Sequence, residues 1–167
     1  TITPHAQFSS SVGVLGCKIN IDRVAYFPAY PLCTKYCVRV TANGRSVTLL
    51  HIDHSGGAHD ISYDAWNYLV TGKSAREDPT YGGGIPGSWE YVENSECDDL
   101  IPTEGHKIPL SASTAVIWGL SCAPGTVQFW NIATAQCTLG VDEKCEPPPQ
   151  GGNQPVCPSQ LGTQNPL

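Results

Sequence analysis

The chain has 167 residues, enough for one domain with a sizeable core and few for two. Seventeen glycines, fourteen prolines and no methionine imply many turns and short strands, which favours a loop-rich β fold over a helical one. With 14% charged residues and a net charge of −6, the chain lacks the clustered lysine and arginine that nucleic acid or an anionic membrane surface requires.

Up to about Cys37, short apolar stretches at 12–15 and 24–27 are broken by Pro28 and Pro31, a pattern of strand, loop, strand. From Cys37 the residues alternate with period two, Asn43-Gly44 is a strong hairpin signal, and 46–52 returns as the partner strand. Leu49, Leu50 and Ile52 are strand formers, Asp53 ends the run, and Gly56 and Gly57 form a turn. Ile61, Ala65 and Leu69 then fall at helical spacing, with Asp60 or Ser62 able to cap and Gly72 to stop the helix. Residues 76–88, with Asp78-Pro79 and Gly82-Gly83-Gly84, read as a mobile loop before a strand at 89–93. After an acidic connection to about Pro109, apolar runs at 114–121 and 126–132 read as strands that complete the sheet. Residues 142–167 are rich in Pro, Gly and Gln and read as a tail without a core; Cys145 and Cys157 can close it into a small loop, and 162–167 should fray. The division that follows is a barrel domain over 1–141 and a tail over 142–167.

Eight cysteines spread along the chain suit four disulfides and an oxidising compartment, so secretion is expected. Zinc is the alternative, but Cys33-x-x-x-Cys37 has no second knuckle of matching spacing. Thr1-Ile2-Thr3-Pro4 has neither the basic start nor the apolar core of a signal peptide, so the chain is expected to begin after processing. No apolar run reaches the roughly 18 residues of a membrane span.

The segment 46–72 places Asp53, His54, His59 and Asp60 together at the mouth of a barrel. Two carboxylates about 6.5–9.5 Å apart can hydrolyse a glycosidic bond with inversion. The ordinary use of the same residues is structural: Asp60 caps the helix and Asp53 accepts N–H bonds from the glycine turn. His51, His54 and His59 raise a metal site, yet on a strand His51 and Asp53 share one face while His54 takes the other. No metal, cofactor or catalytic residue is therefore assigned. Trp66, Trp89, Trp118 and Trp130 can stack on sugar rings; Trp66, beside the apolar stripe rather than in it, is the one expected at the surface.

Ser46 to His54, Gly57, Asp60-Ile61-Ser62, Asp64 to Asn67, Leu69, Thr71-Gly72, Ala75 and Tyr91 to Cys97 together resemble the cerato-platanins, small secreted fungal proteins. Cys17, Phe27-Pro28 and the pair Cys33 and Cys37 follow in that family's order, so the similarity spans about residues 17–97. The resemblance implies a six-stranded double-ψ β-barrel related to the expansins, disulfides Cys17–Cys33 and Cys37–Cys97, and a non-hydrolytic protein that binds chitin or loosens wall polysaccharide with Asp53 on its groove. Cys122, Cys137, Cys145 and Cys157 are left for an added C-terminal part with three possible pairings, Cys122–Cys137 being favoured. The sequence departs from the family at 17–22, where a glycine-rich acidic turn is expected, at Asp60, where the family has asparagine, and in the C-terminal extension.

The resulting expectation is a secreted, monomeric, effector-like protein of the cell wall or host apoplast. It binds cell-wall polysaccharide or chitin fragments through Asp53, His54, His59, Asp60, Trp66 and Tyr30. The alternative is an inhibitor of plant papain-like cysteine proteases, since a double-ψ barrel is also known as a bacterial papain inhibitor and the loops at 28–31 and 81–87 can enter a cleft. A barrel glycosidase using Asp53 and Asp60 is the third reading.

Overall fold

The computed structural model describes residues 1–150 and 152–167; Gly151, inside the expected tail, lies outside the described residues. The chain is mainly β and divides into two compact units, one of Thr1–Phe8 with Asn20–Leu100 and one of Ser9–Ile19 with Ile101–Leu167.

In the first unit, strands β1 (Ile2–His5), β2 (Val24–Phe27), β3 (Cys37–Ala42), β4 (Arg45–His54), β5 (His59–Ser62) and β6 (Ser88–Tyr91) form one sheet in the order β1-β5-β2-β4-β3-β6. The β3–β4 hairpin forms as its alternation predicts, and Asn43 and Gly44 both take positive φ, 52° and 75°, the twist that joins adjacent antiparallel strands tightly. Pairs β2–β4 and β1–β5 are parallel, whereas β2–β5 and β3–β6 are antiparallel. Ile2 on one edge meets Ile85, just before the other edge strand, at an isolated bridge with bonds of 2.8 and 2.9 Å. No ladder joins β1 to β6, so the sheet stays open.

Helix α1 (Tyr63–Thr71) follows β5 directly and ends at Gly72, whose left-handed conformation lets its N–H bond the Tyr68 carbonyl at 2.7 Å. Its buried stripe includes Ala65 and Leu69 as the spacing predicts, packed on Phe27, Val38, Val40 and Leu49. The expected caps differ. Ser62 stands at the N-cap, but its hydroxyl donates to the Ile21 carbonyl and accepts the Val24 N–H, tying β5 to β2; Asp60 is a strand residue. The loop after α1 is held rather than loose in its first half. The Asn67 side chain, fully buried, donates to the Asp78 carbonyl and accepts from both the N–H and hydroxyl of Thr80. A buried amide needs such partners, and the loop supplies them.

The second unit has a three-stranded sheet, β7 (Ile108–Ser111), β8 (Val127–Ile132) and β9 (Gly140–Cys145), with β8 central. Strand β8 lies where the apolar run predicts. The run at 114–121 is instead helical, as α2 (Val116–Leu120). Gly119 allows this: a Cβ there would come within 2.6 Å of the Phe129 ring, so only glycine lets the helix lie this close to the sheet. The residues expected to fray are also held, by bonds from Gly140 N–H to the Asn165 carbonyl and from Leu167 N–H to the Thr138 carbonyl. Glu143 on β9 accepts bonds from the Ser159 N–H and hydroxyl and from Asn131, which hold its carboxyl below the ordinary range. Strand β9 thus runs through position 142, where the sequence reading began the tail.

All eight cysteines are oxidised. Cys37–Cys97 forms as the resemblance implies, and Cys145–Cys157 closes the small C-terminal loop. Two pairings are corrected: Cys17 bonds Cys137, not Cys33, which removes Cys122–Cys137 as well. The reason is placement. Gly16 N–H bonds the Ala135 carbonyl at 2.8 Å, and this brings the Cα atoms of Cys17 and Cys137 to 6.1 Å, within bridging range. Cys33 and Cys122 are disulfide-bonded too.

Candidate functional site

The end of β4 and the start of β5 carry the residues singled out from the sequence. Tyr26 on β2 is the register partner of Asp53 on one side and Asp60 on the other. The two aspartates therefore stand on strands two spacings apart, roughly 9–10 Å between Cα atoms. Each is engaged inside the protein. Asp53 is only 9% exposed, and its Oδ1 accepts the His54 N–H at 2.9 Å. Asp60 accepts a short bond from the Thr3 hydroxyl, and His5 Nδ1 lies 3.8 Å from its second oxygen. Asp53 accepts the adjacent strand N–H of His54, not one from the glycine turn, while Gly57 N–H bonds the Ser55 hydroxyl; Asp60 pins β1 to β5 and caps no helix.

The other expected site residues separate. His54 is exposed, with its ring 6.2 Å from that of Tyr30, itself 58% exposed on the loop after β2. His59 is half-buried, 5.0 Å from the Phe27 ring and 5.7 Å from Trp89. Trp66 is corrected outright: at 2% exposure it belongs to the core, with Gly82 of the following loop close against its ring and Tyr63 stacked on it. The surface tryptophan of this unit is Trp89, 37% exposed.

Trp89 was legible in principle. Period two on β6 puts Trp89 and Tyr91 on one face and Glu90 on the other, where it pairs with Arg39. The two rings meet edge to face at 5.4 Å, and Phe27 closes the cluster 4.9 Å from Trp89. Beneath them His51, wholly buried, sets a defined hydrogen-bond chain. Its Nε2 is 3.0 Å from the Ala29 carbonyl, which can only accept, so Nε2 carries the proton and Nδ1 accepts from the Tyr91 hydroxyl, also at 3.0 Å. Burial lowers the His51 pKa, outweighing the backbone bonds, and raises that of Tyr91, so both remain neutral near pH 7. This chain fastens the base of the 28–32 loop to the aromatic shelf of Trp89, Tyr91 and His59.

A cleft of about 280 Å³ opens where His5 and Tyr26 stack at 4.1 Å, lined also by Asp22, Tyr63 and Arg76. Its floor includes Asp64, which the sequence reading did not separate from the helix. Burial opposes ionisation of Asp64, but the Arg23 guanidinium at 2.8 Å, the Ala75 N–H and the Ser74 hydroxyl outweigh it and hold its carboxyl below the usual range. Sequence reading also missed His5, because Pro4 interrupts the first strand; proline is tolerated there since β1 is an edge.

Among the described residues no three His, Cys, Asp or Glu side chains converge on a point where a metal ion could sit, and no cysteine is free to act as nucleophile. No helix among them is long and apolar enough to cross a membrane. The site offers stacking surfaces, fixed hydrogen-bond partners and carboxylates already bonded internally. No protein-family model, curated protein or solved structure matches the chain.

Proposed function

We propose that this is a non-catalytic, secreted binding protein, similar in kind to the cerato-platanins, that holds a cell-wall polysaccharide or chitin fragment on the aromatic shelf of Trp89, Tyr91 and His59. The mixed parallel and antiparallel six-stranded sheet, open but with Ile2 of one edge strand bridged to Ile85 in the loop before the other, supports a relation to the double-ψ barrels. Oxidation of every cysteine supports an extracellular setting. The observation that carries the reading is the contrast at the rim: Trp89 is presented to solvent beside the half-buried rings of His59 and Tyr91 and is backed by buried Phe27, while Asp53 and Asp60 are bonded within the fold. Such a surface stacks on a sugar ring and lacks a carboxylate poised to protonate a leaving oxygen. Retention of the wild type on insoluble chitin or cellulose tests this. Trp89→Ala should be retained markedly more weakly and Trp66→Phe as the wild type is, and an unretained wild type removes the reading.

A second reading has its own support. Tyr30 and Leu32 are each more than half exposed on a loop whose base is fixed through Ala29 and His51, the form of a rigid segment that enters a protease cleft without losing much freedom. Papain hydrolysis measured with micromolar protein tests it: inhibition abolished by Tyr30→Ala supports the inhibitor, and unaffected hydrolysis discards it.

A further inference from the structure

We propose that the second unit carries its own binding groove for a neutral, hydroxyl-rich polysaccharide chain, on the open face of the β7–β8–β9 sheet. Alternation along β8 sends Phe129 to the buried face, beside Leu110, and Gln128 and Trp130 to the other. Lys144 is the cross-strand partner of Trp130. The Trp130 ring has Lys18 Nζ at 3.8 Å and Lys144 Nζ at 5.9 Å from its centroid, so its position is fixed by cations on two strands of chain far apart in sequence.

Two contiguous clefts of about 220 and 340 Å³ run past this ring, and a third of about 520 Å³ continues them at Lys107, Gln128 and Lys144 around the sheet edge toward Gly119 and Phe129. Lys144 lines all three; Thr103, Glu104 and Trp130 are shared by the first two, and Lys107 and Gln128 by the first and third. Such a run of shallow connected spaces suits an extended chain better than a compact molecule.

The charges decide the class of chain. Lys18, Lys107 and Lys144 are the only lysines or arginines in this unit's sequence, and all three line the groove. They do not create a positive field, because Glu104 sits 3.2 Å from Lys144, Asp142 sits 2.9 Å from Lys18, and Glu146 lines the largest cleft. A polyanion needs uncompensated cations. A balanced set instead offers donors and acceptors in similar number, which is what sugar hydroxyls use. Gln128 adds to it: its amide nitrogen is spent on the Cys145 and Phe129 carbonyls, which leaves its oxygen to accept. Stacking on Trp130 supplies the apolar contact.

The inference shares its ligand class with the reading above but not its location, and the test separates them. Electrophoresis through gels containing hydroxyethylcellulose, sodium polygalacturonate or polyglutamate measures retardation of the full chain. With Trp89→Ala, which removes the first unit's shelf, hydroxyethylcellulose should still retard the protein, independently of added salt. Adding Trp130→Ala should weaken binding roughly tenfold or more. Adding Gln128→Ala should weaken it about threefold, with the melting curve of the variant measured alongside because the same side chain bonds the Cys145 and Phe129 carbonyls. The proposal is overturned if Trp89→Ala alone abolishes retardation, if neither groove variant changes it, or if polygalacturonate or polyglutamate binds better with steep salt dependence. If Trp89→Ala has no effect while Trp130→Ala abolishes binding, the groove stands and the shelf falls.

Discussion

The two units differ in how their chain is gathered. The first is drawn mostly from one continuous stretch, and its sheet, hairpin and helix enclose an apolar cluster centred on Trp66, Phe27 and Leu49. The second is assembled from Ser9–Ile19 and Ile101–Leu167, segments that meet only after a long excursion, and its three short strands are laced by Cys17–Cys137 and Cys145–Cys157. Closing so long a loop costs chain entropy that local contacts of a small sheet recover poorly. The lesson is one of proportion: the first unit adds the single bridge Cys37–Cys97 to a large apolar cluster, while the second adds two bridges to a smaller core built around Leu15, Leu110 and Phe129.

The largest expected effect breaks the comparison where the second unit is weakest. Replacing Cys17 and Cys137 together by serine removes a bridge across a sequence separation of 120 residues, worth about 4–5 kcal/mol by the chain-entropy account. Amide exchange should rise across β7, β8 and β9 before it rises in β3 and β4. The converse is Trp66→Ala, expected to cost about 3–5 kcal/mol and to loosen α1 and β4 first. If both variants released the same amides together, the distinction between the units would be wrong.

A smaller effect sharpens the account of the first unit. Because the folded Asp64 carboxyl is held below its ordinary value, its contribution is complete above the unfolded pKa of about 3.9 and is lost as pH falls through the lower folded value. Asp64→Asn should therefore cost about 1–3 kcal/mol near neutrality, from the groups of Arg23, Ser74 and Ala75 left with a poorer acceptor. Its melting temperature should fall less than the wild type's between about pH 5 and about pH 3. His51 adds a separate acid sensitivity: neutral in both folded and unfolded chain above about pH 6.5, it leaves stability unchanged there and lowers it increasingly as pH drops below that value, where the unfolded chain takes up the proton that the buried ring resists.

The same contrast explains what the sequence revealed. The β3–β4 hairpin and helix α1 were legible because their periodicities are local and their turns chemically marked by Asn43-Gly44 and Gly72. Helix α2 was not: five residues with β-like composition turn helical because Gly119 can sit against Phe129, a contact set by a strand later in the chain. The bonding of Cys17 was likewise invisible, since it depends on where Ala135 meets Gly16 in space. Within the site, Asp53, His54 and His59 were found at the β4–β5 end by the strand-turn pattern alone. Trp66 was misplaced because helical spacing describes one neighbour, the sheet, and its ring is covered by a second, the loop at Gly82. Trp89 went unchosen because a four-residue strand gives too short an alternation to rank one tryptophan over another.

The central claim is recognition without cleavage at the Trp89 shelf, and titration onto chitin and cellulose together with assay of released reducing ends tests it most directly. The account predicts that wild-type protein binds and releases none, and that Trp89→Ala, folded by its melting curve, loses affinity roughly tenfold on the shelf's ligand. Reducing ends whose release depends on Asp53 or Asp60, or binding to which Trp89 makes no difference, would contradict it.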